Sequence, residues 1–477
     1  MKRIKAFIGL FILCSCQVTT SSSSFDYKIV SGVYELLSAT LDEIDIKSEF
    51  NLYNITLLED KTMNVFLSRG GLINKRDSTY IVEENTLTET YHAETFLYEI
   101  DFDNKTLRNT IEEYGQTLVT VFKKKVNPDD IDKTVNFNDV LFGEDIDSVK
   151  KYNYAPSAIR TVEEGQEVMH VWYCTNISSA VIVDYIGYRK GILGLDNKWT
   201  FSEEEIVLGP TPDTWDGRHT CDPAVIMGNF NYNDVSYKYM MSYLGCTTED
   251  YSNNETGLAV ANNPAGPWLK LDHLNPIVPW SKNNFSGTWG TGMPSLLSVD
   301  KQGIVFLFYM DSKVGVGVEK WDFSDLNNPL QLLQTKLTHN GVYNHAGNKI
   351  NLGYIDVAYD EVKDRLYLMS GTHEKDPPDG SRSLVNSHCV VVYLDGISNM
   401  NVLTNTLANM VYNWQTLDYV GPEETGWVRN HNPCLVTDPY GRVFDSNNLW
   451  TIVSTGLNTY PFDNIFTYRL KGYIFSV

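Results

Sequence analysis

The feature that most constrains this chain is a short unit that recurs through its last two-thirds. It begins as Tyr154-Ala155-Pro156-Ser157-Ala158-Ile159 and returns as Cys221-Asp222-Pro223-Ala224-Val225-Ile226, Gly292-Met293-Pro294-Ser295-Leu296-Leu297 and His431-Asn432-Pro433-Cys434-Leu435-Val436. A degenerate copy is Gly353-Tyr354-Ile355-Asp356-Val357-Ala358. The starts fall roughly 60 to 80 residues apart, a spacing that suits a four-stranded blade with loops. An apolar second segment follows each start: Met169 to Cys174, Tyr239 to Leu244, Val305 to Met310, Leu366 to Ser370 and Leu449 to Ser454. Third segments come at Ala180 to Tyr185, Thr256 to Ala261, Val314 to Trp321, His388 to Leu394 and Ile465 to Leu470. No such unit can bury its faces alone, so five in a row are expected to close into a ring. The reading is all-β, with a five-bladed β-propeller over 148–477.

Residues 26–126 carry a second β pattern. Short stretches such as Met63-Asn64-Val65-Phe66-Leu67 and Leu118-Val119-Thr120-Val121-Phe122 are parted by turn residues at Asp60-Lys61, Gly70-Gly71, Asp103-Asn104 and Tyr114-Gly115. This predicts an antiparallel β domain. Gly32-Val33-Tyr34-Glu35, Thr95 to Leu107 and Gly115 to Lys125 resemble the small lipocalin-like β-barrels found on bacterial lipoproteins, with Tyr34 where lipocalins carry Trp. Such a barrel either holds a ligand in its mouth or is simply packed. A spacer or docking role is the simpler reading. The acidic, aperiodic segment 127–147 reads as an inter-domain linker.

The first residues suggest a compartment. A basic start (Lys2, Arg3, Lys5) precedes an apolar run from Ala6 to Leu13, of signal-peptide length. It ends in Leu13-Cys14-Ser15-Cys16, which resembles a bacterial lipobox with Cys16 as the lipidated residue. Residues 1–16 are therefore read as a lipoprotein signal peptide and 17–25 as a flexible tether. The expectation is an exported protein, a cell-surface or periplasm-facing membrane-anchored lipoprotein that meets the membrane through its lipid alone. A net charge of -22 argues against a nucleic-acid partner. A monomer is expected.

Residues 149–477 resemble the five-bladed propellers of family 43 and family 32 glycoside hydrolases. Gly257 to Trp268 (GLAVANNPAGPW) is similar to a stretch those enzymes carry in a third strand and its turn, and Asp222-Pro223 to their Asp-Pro at an inner-strand start. The resemblance implies a funnel lined by inner-strand starts and by the loops after second strands. It also implies an oligo- or polysaccharide partner and three acids, from blades one, two and three. Asp222 fits the second acid, which orients substrate and tunes the proton donor. Blade one offers Asn153-Tyr154-Ala155-Pro156 and blade three Gly290-Thr291-Gly292-Met293-Pro294, with no acid in either.

Glycoside hydrolysis needs two carboxyl groups facing one bond, and the expected mouth offers substitutes. The catalytic candidates are Asp222, Asp356 and Glu374. Asn153, Trp215, His219, Trp289, Arg429 and His431 are candidates for holding substrate, the tryptophans as stacking platforms alongside Trp427. His339 and His345 read as surface residues of a long loop. No spacing marks a metal site, and no cofactor is expected. In the same funnel geometry Cys221 and Cys246 could meet as a disulfide, with the other cysteines read as buried free thiols. The expected function is glycan processing, as a glycoside hydrolase with a non-standard acid/base set. The alternatives are a glycan-binding propeller without catalysis, and a structural protein with a vestigial funnel.

Overall fold

The computed structural model describes residues 32–42, 44–47, 50–58, 61–69, 72–92, 94–102, 106–113, 116–124, 137, 140–142, 151–179, 181–194, 198–249, 251–372, 387–397, 399–456 and 465–477. Cys16 and Glu374 lie outside them. The chain divides into two compact units, one of Met1–Ile131 with Val162–Gly165 and one of Asp132–Thr161 with Gln166–Val477.

The first unit is one nine-stranded antiparallel sheet, a meander from Gly32–Leu41 to Gln116–Lys124. Its last strand pairs with its first, from Tyr34↔Lys124 to Leu41↔Leu118, so the sheet curls back onto itself as the barrel reading expects. Alternation along the strands sends Ile55, Leu57, Met63, Val65, Tyr80, Leu87, Tyr98, Leu107 and Phe122 into one core. Glu89 is buried there too, with no exposed surface.

The second unit is the five-bladed propeller. Its inner strands are Asn153–Glu163, His219–Tyr232, Thr291–Ser298, Asp356–Asp360 and Arg429–Leu435, each the first of an antiparallel sheet. Both faces of a blade are covered, so its middle strands read as unbroken apolar runs rather than alternations. Within blade III, Val305, Leu307 and Tyr309 enter the cluster shared with blade II, while Phe306 and Phe308 enter the cluster shared with blade IV. Each of the five blade interfaces has one such cluster.

Three details differ from the sequence reading. Val140–Phe142, inside the expected linker, is the outermost strand of blade V and pairs with Arg469–Ser476 (Val140↔Lys471). The propeller thus closes with a strand from ahead of blade I. A three-residue strand is too short to show a period. The third strand of blade I is Tyr185–Leu193, beginning where the expected one ended, and that of blade V is Arg469–Ser476, after a 3-10 turn at Ile465–Thr467.

The five inner strands share one distortion. Ala155, Asp222, Met293, Tyr354 and Asn432 all have positive φ, between 40° and 53°. Register slips at these points in blades II, III and V. The next residue is Pro in four of the five, and a bulged position loses no ladder bond to a residue that has no N–H. The bulges set these five residues around the axis.

Candidate functional site

The five bulges line a pocket open to solvent, formed by Ala155-Pro156, Asp222-Pro223, Met293-Pro294, Tyr354-Ile355 and Asn432-Pro433. Asp222 is the one carboxyl among these lining residues. Burial pushes it up to about 7, the negative charge of Asp184 adds to this, and the Met293 amide partly offsets both. A carboxyl in this state switches its proton near neutral pH, which is what an acid catalyst requires.

A disulfide lies directly beside it. Cys174, at the end of blade I's second strand, bonds Cys221, with Cα atoms 5.1 Å apart. Cys221 Sγ is 3.3 Å from Asp222 Oδ1. The expected Cys221–Cys246 pair is therefore incorrect, and Cys246 is buried outside the disulfide. Across the blade II ladder Cys221 faces Leu244 and Cys246 faces His219, which sets the two cysteines apart. The neighbouring blade's second strand supplies the partner instead. Cys174, Cys221 and Asp222 come within 4.8 Å of one another as metal ligands would, but both sulfurs are spent in the disulfide.

Behind Asp222 lies a polar cluster. His219 is buried, with Nδ1 2.9 Å from Asp184 Oδ2. The other oxygen of Asp184 accepts from Tyr152 (2.6 Å) and Tyr154 (3.2 Å). Across the funnel, His431 sits among Tyr154, Tyr354 and Tyr468, with ring centroids 4.7 to 6.4 Å away. Burial pushes its imidazole down to about 3, so it is neutral at pH 7. His219 Nε2, His431 Nδ1, Asn153 Oδ1 and Asn432 Oδ1 are buried with no hydrogen-bond partner among the described residues. Buried polar atoms left unpaired in this way are atoms that a ligand or water can satisfy.

Asp356 is placed differently. It stands one residue beyond the cavity lining, at the repeat position held by Ser157, Ala224, Ser295 and Cys434 in the other blades. Its carboxylate accepts from Ser295 Oγ (2.6 Å), its neighbour's amide at Val357 (3.0 Å) and the Leu435 amide (2.8 Å), which ties blades III, IV and V together. Ser157 accepts from Val225 and Ser454 from Ala155 in similar ties between other blades. Burial pushes Asp356 up to about 6 even so.

The tryptophans also separate. Trp215 lies flat over Gly245 and Gly257, where any Cβ would collide with its ring, and packs on Tyr243. Trp289 is half-buried against the cluster of Ala155, Cys174, Cys221 and Leu244 beside the cavity. Trp427 lies under the Arg469 guanidinium, 4.9 Å away. Arg429 is buried where blade V's inner strand starts, near Tyr468, whose phenol burial pushes up despite that charge. His339 is no free surface group, because its Nδ1 accepts from the Leu352 amide. His345 stacks on His388 at 4.4 Å.

Sequence reasoning missed Asp184, Tyr154, Tyr354, Asn432 and Cys174. Three of these could have been found: Tyr354 and Asn432 occupy the position of Asp222 in the repeat, and Tyr154 precedes it. Asp184 lies between strands and has no repeat counterpart to mark it.

No protein-family model matches the chain, and no curated protein matches it. Among solved structures it is similar to a family 117 glycoside hydrolase produced by the marine bacterium Zobellia galactanivorans, at 12% identity over 71% of this chain and 87% of that one, with a TM-score of 0.42. It is similar to the GH43_1 enzyme from Xanthomonas citri complexed with xylose, at 12% identity over 71% and 90%, with a TM-score of 0.42. A third is the endo-arabinase from Bacteroides thetaiotaomicron, at 12% identity over 69% and 95%, with a TM-score of 0.38.

Proposed function

We propose that the propeller is an exported glycan-processing unit, a glycoside hydrolase in which Asp222 is the general acid. One observation carries this reading: the single carboxyl lining the axial cavity is held near its switching point at neutral pH, pushed up to about 7. In that state it protonates a glycosidic oxygen as the bond to the sugar breaks. The unpaired atoms of Asn153, Asn432 and His431 meet sugar hydroxyls, and Tyr154, Tyr354 and Trp289 offer ring faces around them. The Asp-Pro start and the Gly257 to Trp268 stretch support the same reading from sequence. Glu374, outside the described residues, is the remaining candidate for the second carboxyl. The leader read over residues 1–16 supports attachment to a membrane surface through a lipid on Cys16.

One observation favours a second reading. With Asp356 committed to ties between blades, Asp222 has no second carboxyl beside it among the lining residues. A funnel of this kind that binds glycans without cleaving them would look the same. Incubation of the full chain with a panel of oligo- and polysaccharides separates the two. Released sugar that disappears in Asp222→Asn and in Glu374→Gln supports hydrolysis. Glycan binding without release, unchanged in both variants, supports the binding module.

A further inference from the structure

The cluster behind Asp222 holds a second carboxylate with no part in the reading above. Asp184 precedes the third strand of blade I and is 2% exposed. Tyr154 donates to it at 3.2 Å, and the same hydroxyl lies 3.0 Å from Cys221 Sγ. That sulfur is in turn 3.3 Å from Asp222 Oδ1. One phenol and one disulfide thus fill the space between two carboxyls.

We propose that Asp184 is a positioning residue for Asp222: it pins the Tyr154 hydroxyl between the two carboxyls and so governs how readily Asp222 releases its proton. The proposal takes from the proposed function only the naming of Asp222 as the acid. The coupling itself needs no turnover.

Burial raises Asp222 and the negative charge of Asp184 adds to it. Asp184 accepts from Tyr152 and Tyr154 and lies 2.9 Å from His219 Nδ1. Asp222 has the Met293 amide and the disulfide beside it. The other groups facing the pair are neutral or lie further off. Tyr354 from blade IV and Tyr251 from the loop after blade II's second strand are phenols that burial keeps neutral. His431 from blade V is neutral as well. Arg218 lies beyond Tyr251 and pairs with the exposed Glu249 at 3.4 Å. Among the described residues, no Lys or Arg contacts either carboxyl.

The test is a carboxyl ¹³C NMR titration of the full chain labelled at aspartate, in which Asp222 is the signal that vanishes in Asp222→Asn. Asp184→Asn retains an acceptor for Tyr152 and Tyr154, and its amide can donate to His219 in the other tautomer. The Asp222 midpoint is expected to fall by about one pH unit in this variant. An unmoved midpoint overturns the proposal. Where Asp184→Asn does not fold, Tyr154→Phe reads the same link, because it removes the hydroxyl held between the two carboxyls. The Asp222 midpoint is expected to move in this variant too, and an unmoved midpoint overturns the proposal equally. Midpoints that move in a protein that releases no sugar would sink the hydrolase reading alone. Sugar release with unmoved midpoints would sink this proposal alone.

Discussion

Both β units bury carboxyls, and Glu89 in the first and Asp222 in the second are treated in opposite ways. In the curled N-terminal sheet, Glu89 receives both a bidentate Arg76 fork (2.7 Å on each oxygen) and the hydroxyls of Ser78 (2.8 Å) and Tyr98 (2.9 Å). Arg76 itself lies 4.0 Å over the Phe96 ring. Every lone-pair direction of that carboxylate has a donor, so the group is fully committed to the fold. Asp222 in the propeller has no cation, one backbone donor and a like charge nearby. Burial is common to both carboxyls, but the donor set is not. A buried acid that has been fully satisfied is architecture, whereas one that has been left short of donors is available for chemistry.

The largest expected effect tests the second half of that contrast. Asp222→Asn should lower sugar release at least a hundredfold, the usual range for removing a general acid, measured by reducing-end assay at pH 6. Activity in the unaltered chain should fall as pH rises through about 7, because the protonated form is the active one. The same carboxyl leaves a mark on stability. Its folded pKa is raised above the ordinary value of 3.8, so its contribution is fully present below about 4 and is lost as pH rises through about 7. Between those limits the unaltered chain should lose up to about 1.4 kcal/mol per pH unit relative to Asp222→Asn. Parallel stability curves from pH 4 to 7.5 would show that Asp222 is an ordinary surface-like acid.

Arg76→Ala tests the first half. It leaves Glu89 buried without its cation, and breaking such a pair typically destabilises by about 3 to 5 kcal/mol. The loss should appear in the unfolding of the N-terminal unit and leave glycan release unchanged. A smaller effect, about 2 kcal/mol, is expected for Asp356→Ala, which strips the ties between blades III, IV and V. If Asp356 instead belongs to the chemistry, its removal would abolish release while the thermal midpoint of the propeller stayed put.

How far the sequence was legible follows the same line. The propeller announced itself because five copies repeat the same strand pattern, and even the degenerate start at Gly353 falls in place. Asp222 was legible as an acid at a strand start. Asp356 looked the same in text but sits two repeat positions later, past the bulge, and that offset puts its side chain at the seam between blades instead of at the axis. Asp184 and Cys174 were illegible because their importance arises between blades: each acts on a residue about 35 to 47 positions away. Glu89 and Arg76 were illegible for a related reason. Charged residues on alternating strands read as solvent-facing, and only the curl of the sheet turns them inward.

The smallest expected effect concerns strain. In the N-terminal unit the non-glycine residues with positive φ, Asp42, Lys61, Glu84 and His92, fall at turns between strands. At the propeller axis the same conformation is imposed at the start of the blades, on Ala155, Met293 and three others. Left-handed backbone costs about 1 to 2 kcal/mol at a residue with a Cβ. Glycine removes that cost but adds about 0.5 to 1 kcal/mol of backbone entropy to the folding of the chain. Ala155→Gly should therefore stabilise the propeller slightly, by roughly 0.5 to 1 kcal/mol, because the lost methyl is small. A urea midpoint that rises in Ala155→Gly means that the axis stores strain to hold the Asp222 position. A midpoint that falls means that the bulges are relaxed and that the ties from Ser157, Ser295 and Ser454 alone set the axial geometry.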